Sequence, residues 1–183
     1  MSSQPTSQRR LPQREPRRES ESEFDETHFR RALSQFATGV TVITTRDDSG
    51  GFFGLTASSF NSVSLTPPLV LWSLSGNSRS MPLFTGNSHY VINVLAADQA
   101  VLAERFASRI EDRFAGVGFE LSATGLPVLH GVSAWFECHN RSRYPEGDHV
   151  IFVGEVERCA YEAKPPLVFH GSRFGKIDPI TPR

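Results

Sequence analysis

The chain has 183 residues, a formal charge of −1, 38% hydrophobic and 21% charged residues, the proportions of one folded domain with room for a tail. That balance gives no whole-chain electrostatic case for nucleic acid or an anionic membrane. No apolar run approaches the roughly 20 residues that cross a bilayer, and the N-terminus lacks the apolar core of a signal peptide.

Residues 1–23 carry Arg9, Arg10, Arg14, Arg17 and Arg18, then Glu19, Glu21 and Glu23, among Pro, Gln and Ser. Leu11 is the sole apolar side chain there after Met1. Such a segment buries too little surface to offset its conformational entropy, so a disordered tail is expected, followed by one domain over 24–183. Residues 25–37 place Phe29, Leu33 and Phe36 at helical spacing, with Asp25 as N-cap and Gly39 as terminator. Short β-rich runs follow at 40–45, 52–58, 69–74, 89–95, 133–139 and 149–161. Turn chemistry separates several of them, at Asp47–Gly51, Thr66-Pro67-Pro68 and Tyr144–Asp148. A helical turn is expected over 78–84. A second helix fits 98–110, capped by Asp98, with Leu102, Phe106 and Ile110 on one stripe.

Many short strands and few helices predict a mainly β barrel or sandwich decorated by helices. Strands within 40–74 follow one another without crossover helices, which argues against a doubly wound parallel sheet. Gly116-Val117-Gly118 lacks the third glycine of a dinucleotide fingerprint and follows a helix rather than a strand. No phosphate-binding P-loop and no Gly-x-Ser-x-Gly elbow is present. Two cysteines, Cys138 and Cys159, are too few and too scattered for a disulfide scaffold or a zinc site. Both are expected buried or half-buried, and a cytoplasmic location follows. The six histidines (His28, His89, His130, His139, His149 and His170) show no metal-ligand spacing on one element, so no metal is expected. Nothing selects one serine as a nucleophile.

Four runs carry candidate chemistry. Thr56, Ser58, Ser59, Asn61, Ser62 and Ser64 fall within nine positions with no charge among them. Neutral hydroxyls and small residues let a backbone approach a flat polar ring and bond its edge, although a serine-rich hairpin corner reads equally well. In Ser75–Ser80, Ser78 is placed to cap the following helical turn, with Arg79 adding a positive fork for a phosphate. Gly147-Asp148-His149 opens the long run at 149–161 and is first a turn signal, with the imidazole at the strand edge. Pro165–Lys176 joins an apolar strand end to a basic, aromatic segment, either a pocket wall or a packed tail.

These runs together resemble the short-chain flavin reductase family, the reductase components of two-component flavin-dependent monooxygenases. The resemblance covers about 28–177. It is carried in order by Phe36-Ala37-Thr38-Gly39-Val40, Gly54–Phe60 with Val63–Val70, Asn77–Ser80, Gly125–Leu129, Gly147-Asp148-His149 and Pro166–Phe169 with Arg173-Phe174. It implies a split β-barrel of Greek-key topology, a homodimer with its site near the subunit interface, and reduction of FMN or FAD by NADH or NADPH. Reduced flavin would pass to a partner monooxygenase. It further implies that Thr56, Ala57, Ser58 and Ser59 contact the isoalloxazine and ribityl chain, with Ser64 and Leu65 beside them. Asn77, Ser78, Arg79 and Ser80 would hold the phosphate, His149 would face the nicotinamide, and Arg173 and Phe174 would border it. A split-barrel flavoprotein that holds FMN tightly, or oxidises a small substrate, is the alternative.

Overall fold

The computed structural model describes residues 24–47 and 49–178. The expected tail at 1–23 lies outside them. Its centre is one seven-stranded antiparallel sheet of order β3-β2-β6-β9-β10-β5-β4. The strands are β2 (Thr41–Arg46), β3 (Phe52–Ala57), β4 (Asn61–Leu65), β5 (Pro68–Ser75), β6 (His89–Val94), β9 (Ala134–Glu146) and β10 (His149–Tyr161). The first hairpin, β2–β3, takes one end of the sheet and the next, β4–β5, the other. β6 then returns beside β2, and the β9–β10 hairpin fills the gap.

The edge strands β3 and β4 are joined by residues 58–60 alone, a link that reaches at most about 14 Å. The two edges therefore curl towards each other. β3 pairs with β2 and β4 with β5, but not with one another, so the barrel is split rather than closed. A three-stranded sheet, β1 (Thr38–Gly39), β11 (Val168–His170) and β12 (Arg173–Gly175), and the pair β7 (Phe119–Leu121) and β8 (Pro127–Leu129) stand beside it.

Alternation explains the strands. On β5, Val70, Trp72 and Leu74 are buried and their neighbours are half-buried. They join Ile43, Leu55, Tyr90, Ile92 and Phe152 inside the barrel, where the Trp72 and Phe152 rings stack with centroids 4.6 Å apart. A second cluster lies outside the sheet, where Phe106 and Ala103 of α3 (Ala100–Ala107) meet Val40, Val42, Leu95, Leu129 and Leu167. Glycine matters at Gly54, where an added β-carbon would sit 2.7 Å from the Phe106 ring.

Several element boundaries differ from expectation. α1 (Glu26–Leu33) is capped by Asp25, whose Oδ1 accepts from the His28 N–H at 2.7 Å, but it ends at Ser34. Gly39 lies in β1, not at a helix terminus, because the chain pairs with β11 there. α3 starts two residues after Asp98, with Gln99 at the cap position, and Ile110 lies beyond its end. α2 (Met81–Gly86) has Ser80, not Ser78, at its cap position, and makes no side-chain cap bond. Cys138 is buried, but Cys159 is exposed because it sits at the solvated end of β10. The strand β4 and the run 140–146 of β9 were not anticipated.

Candidate active site

The candidate site forms where the split edge meets the β9–β10 turn. β10 pairs with β5 so that His149 lies opposite Ser75 and Ile151 opposite Ser73. The Gly76 N–H donates to the Asp148 carbonyl at 2.8 Å and locks the end of β5 to the turn. The link after β3 is pinned to β5 by Ser59. Its hydroxyl donates to the Ser73 carbonyl at 3.0 Å and accepts from the Ser73 N–H at 2.9 Å. A cavity of about 530 Å³ results, lined by Leu55, Thr56, Ala57, Ser58, Ser59, Ser73, Leu74, Ser75, Glu146, His149 and Ile151. The structure thus brings Thr56–Ser59 and His149 together from segments some ninety residues apart in the chain.

Within this cavity the hydroxyls are not equivalent. Thr56 donates to the Ala103 carbonyl of α3 at 2.6 Å, and the Ser59 hydroxyl is committed to Ser73. The Ser58 side chain is exposed, and β3 is a sheet edge, so backbone groups along it and the link are the remaining donors and acceptors. A flat ring with alternating carbonyls and nitrogens fits such an edge. His149 is half-exposed, and its Nδ1–H donates to Asp148 Oδ1 at 2.7 Å. That bond leaves Nε2 free as an acceptor in the neutral ring. Asp148 is held below its ordinary pKa, chiefly by this bond and then by the His149 charge.

A second cavity, about 460 Å³, continues along the same two walls. Phe52, Phe53 and Gly54 of β3 line it on one side, and Asn77, Ser78, Arg79 and Ser80, just past β5, on the other. Residues 109–114 close it. Arg113 donates from Nη1 to the Gly54 carbonyl at 2.8 Å and from Nη2 to the Ser108 carbonyl at 2.5 Å. Its guanidinium lies 5.5 Å from the centre of the Phe53 ring. Burial lowers its pKa, yet a guanidinium remains charged at neutral pH. Arg105 of α3 holds this loop by donating to the carbonyls of Arg113 at 2.8 Å and Ala115 at 2.7 Å. Arg79, Arg109 and Arg113 line this cavity together with Glu111 and Asp112, three guanidinium groups against two carboxylates, and guanidinium forks are groups that hold phosphate.

Sequence reasoning missed Arg109 and Arg113. Their signal was the four-residue repeat Arg105, Arg109, Arg113, which begins inside the run 98–110, read only for its apolar stripe, and continues past its end. The other expected residues lie elsewhere in the single chain. Ser64 and Leu65 are on β4, with Leu65 93% exposed and the Ser64 hydroxyl accepting from the Thr66 N–H at 3.2 Å. Arg173 and Phe174 are on β12, where Phe174 packs on Phe169 with ring centroids 5.5 Å apart. Among the described residues, no three His, Cys, Asp or Glu side chains are arranged to hold a metal ion.

Comparison with known proteins places the chain among flavin reductases. The chain is 46% identical over 149 residues to the FMN reductase (NADH) SmoA of Agrobacterium fabrum, covering 81% of this chain and 84% of that one. It is 38% identical over 157 residues to the reductase subunit HsaB of a flavin-dependent monooxygenase of Rhodococcus jostii, covering 85% and 80%. The solved structure of the Streptomyces globisporus NADH:FAD oxidoreductase SgcE6, in complex with NAD and FAD fragments, superposes with a TM-score of 0.81 at 36% identity, covering 85% of this chain and 94% of that one. Residues 33–178 match the sequence model of the flavin reductase like domain, and the chain belongs to that family.

Proposed function

We propose that this protein is an NAD(P)H-dependent flavin reductase that reduces FMN or FAD and supplies the reduced flavin to a separate monooxygenase. One observation carries the reading: two cavities follow one another along β3 and the end of β5, a backbone-rich one facing His149 and one bearing Arg79, Arg109 and Arg113. A flavin mononucleotide has the same order, a flat ring, a polyol chain and a phosphate. When bound, flavin and nicotinamide supply the redox chemistry themselves.

The chain's own residues have three tasks. The β3 edge and Ser58 orient the ring and offer donors where negative charge collects on reduction. Arg79 and Arg113 anchor the phosphate and fix the ring's depth in the pocket. His149, steered by Asp148, positions the hydride donor over the ring. No side-chain nucleophile is required. The similarity to SmoA, HsaB and SgcE6 supports this assignment, and HsaB supports a monooxygenase as recipient.

A homodimer is part of the same reading. Phe24, Phe29, Leu33 and Phe36 are 49%, 48%, 57% and 75% exposed, and no residue of α1 is buried. A second copy covering this face removes apolar surface from water. Residues 24–183 form the catalytic unit. Two free thiols suit the cytoplasm, and among the described residues no helix is long and apolar enough to cross a membrane.

The test is oxidation of NADH and of NADPH, followed by absorbance, with FMN, with FAD and without flavin. Flavin-dependent turnover is expected. Bound flavin with no turnover by either nucleotide would overturn the reductase assignment.

A further inference from the structure

Arg105 of α3 is a charged side chain without a charged partner. It is half-buried and makes no ion pair among the described residues. Its bonds from the guanidinium all go to backbone carbonyls of one stretch, 112–115. Nε donates to Arg113 at 2.8 Å, and Nη2 donates to Ala115 at 2.7 Å and to Asp112 at 3.4 Å. Drawing a cation partly out of water with no counter-charge is unfavourable, so a guanidinium held by neutral carbonyls alone calls for a reason. The helix that carries it is fixed to the wall of the ring cavity. Thr56 Oγ1 donates to the Ala103 carbonyl at 2.6 Å, and the Phe106 ring fills the notch at Gly54. The loop beyond the helix returns to the same strand, because Arg113 Nη1 donates to the Gly54 carbonyl at 2.8 Å. A closed circuit results, running from β3 to α3, through Arg105 to the loop, and back to β3. The far foot of the loop is packed as well. The Phe114 ring lies 5.1 Å from Phe106, 5.5 Å from Phe119 and 6.0 Å from Phe52, centroid to centroid. Asp112 Oδ1 accepts from the Phe114 and Ala115 N–H groups, each at 3.0 Å. Arg109, between the two feet, is exposed, and none of these bonds uses its guanidinium.

We propose that Arg105 is a positioning residue for the flavin: it holds the loop 109–114 at the distance from the ring cavity that the flavin phosphate requires. This rests on the reading of the two cavities as the ring end and the phosphate end of one site. Arg105 lines neither cavity, so it acts through the loop and not on the ligand. A charge-assisted hydrogen bond weakens steeply once its distance or angle is wrong. The guanidinium groups of Arg109 and Arg113 therefore serve a phosphate only while the loop is fixed relative to β3. Lysine cannot replace Arg105 in this task, because the planar fork reaches two carbonyls from Nε and Nη2 at once. The same circuit accounts for Thr56, which lines the ring cavity yet commits its hydroxyl to α3.

The test measures dissociation constants for FMN and for riboflavin, which has the same ring and polyol chain but no phosphate. The full-length protein is compared with Arg105→Ala, Arg105→Lys, Asp112→Ala and Arg79→Ala. Arg105→Ala is expected to weaken FMN binding about tenfold or more and riboflavin binding less than about twofold, because only the phosphate contact depends on the loop. Arg105→Lys is expected to behave like Arg105→Ala, since it keeps the charge and loses the fork. Equal losses for FMN and riboflavin would mean a role in stability alone and would overturn the inference. Unchanged FMN affinity in Arg105→Ala would overturn it too, as would full recovery in Arg105→Lys, which would make the charge and not its geometry the cause. Asp112→Ala decides the matter if the Arg105 variants do not fold. Removing a carboxylate beside a phosphate tightens binding by charge alone, whereas removing the two bonds at the loop's foot loosens the loop. Weaker FMN binding with riboflavin unchanged is expected, and equal or tighter FMN binding would overturn the inference. Arg79→Ala separates this inference from the reading of the site. If the wild-type protein binds FMN and riboflavin alike, the phosphate end is wrongly assigned and the inference falls with it. If Arg79→Ala abolishes the preference for FMN and Arg105→Ala retains it, the phosphate end stands and only the role of Arg105 fails.

Discussion

At the scale of single residues, the groove separates groups that bind from groups that hold the wall together. Arg79 is exposed and faces the arginine-lined cavity, so Arg79→Ala should weaken FMN binding by about 1–3 kcal/mol through loss of a charge-assisted contact. Quenching of flavin fluorescence measures this, and an unchanged dissociation constant would remove Arg79 from the site. On the proposed role of His149 in positioning the hydride donor, His149→Ala should lower the rate of hydride transfer more than the affinity for flavin. Stopped-flow reduction of bound flavin distinguishes the two, and the reverse order would move His149 to the flavin side. Glu137 acts on stability instead. It is fully buried and accepts from Ser122 at 2.5 Å, from the Thr124 N–H and hydroxyl at 3.0 and 2.6 Å, and from Arg158 at 2.9 Å. Burial alone would raise its pKa, but these four donors outweigh it and bring the value from 4.5 to about 2. A depressed carboxylate stabilises the fold fully above its unfolded value and loses that contribution as pH falls from about 4.5 through about 2, roughly 3 kcal/mol in all. Denaturant titrations across that window should show the loss in the wild type and a flatter acid limb in Glu137→Gln. Identical limbs would mean another group governs acid unfolding.

At the scale of elements, β3 couples the core to the site. Its odd positions, Phe53, Leu55 and Ala57, pack with the barrel interior, while Gly54 and Thr56 meet α3. The Gly54 carbonyl also anchors Arg113. Gly54→Ala forces the added carbon against Phe106 and should cost about 1–3 kcal/mol by overpacking. It should weaken FMN binding as well, because displacement of α3 moves the loop carrying Arg109 and Arg113. Thermal melts and flavin titrations check both effects, and lost stability with unaltered FMN affinity would uncouple α3 from the phosphate end. The elements that were legible in the sequence, β2, β3, β5, β6 and β10, alternate or are β-branched against a buried face. β4 was not legible, because Asn61-Ser62-Val63-Ser64-Leu65 is an edge with little buried side-chain surface, and pairing with β5 makes it a strand. The polar run 140–146 is likewise drawn into β9 by the partner register of β10. The first helix is shorter than its apolar spacing suggests because the chain turns into β1 to pair with β11.

At the scale of the whole molecule, the exposed apolar side chains Phe29, Leu33 and Phe36 are the surface on which the proposed homodimer rests. Leu33→Glu with Phe36→Glu should convert the proposed dimer to a monomer in size-exclusion chromatography with light scattering. A dimer that persists would place the subunit interface elsewhere. By itself the sequence determined the fold class, the family and the chemical character of the ring and phosphate segments, because hydroxyl-rich, charge-free and Arg-bearing runs are local properties of the chain. Only the tertiary structure decided which of those residues meet. The Ser59–Ser73 bonds and the pairing of β5 with β10 bring Thr56–Ser59 to His149. The bonds from Arg105 and Arg113 carry the 109–114 loop to Arg79. In the single chain, Ser64, Leu65, Arg173 and Phe174 lie outside the two cavities. Long-range pairing and packing set such distances, and they leave little trace in any one segment.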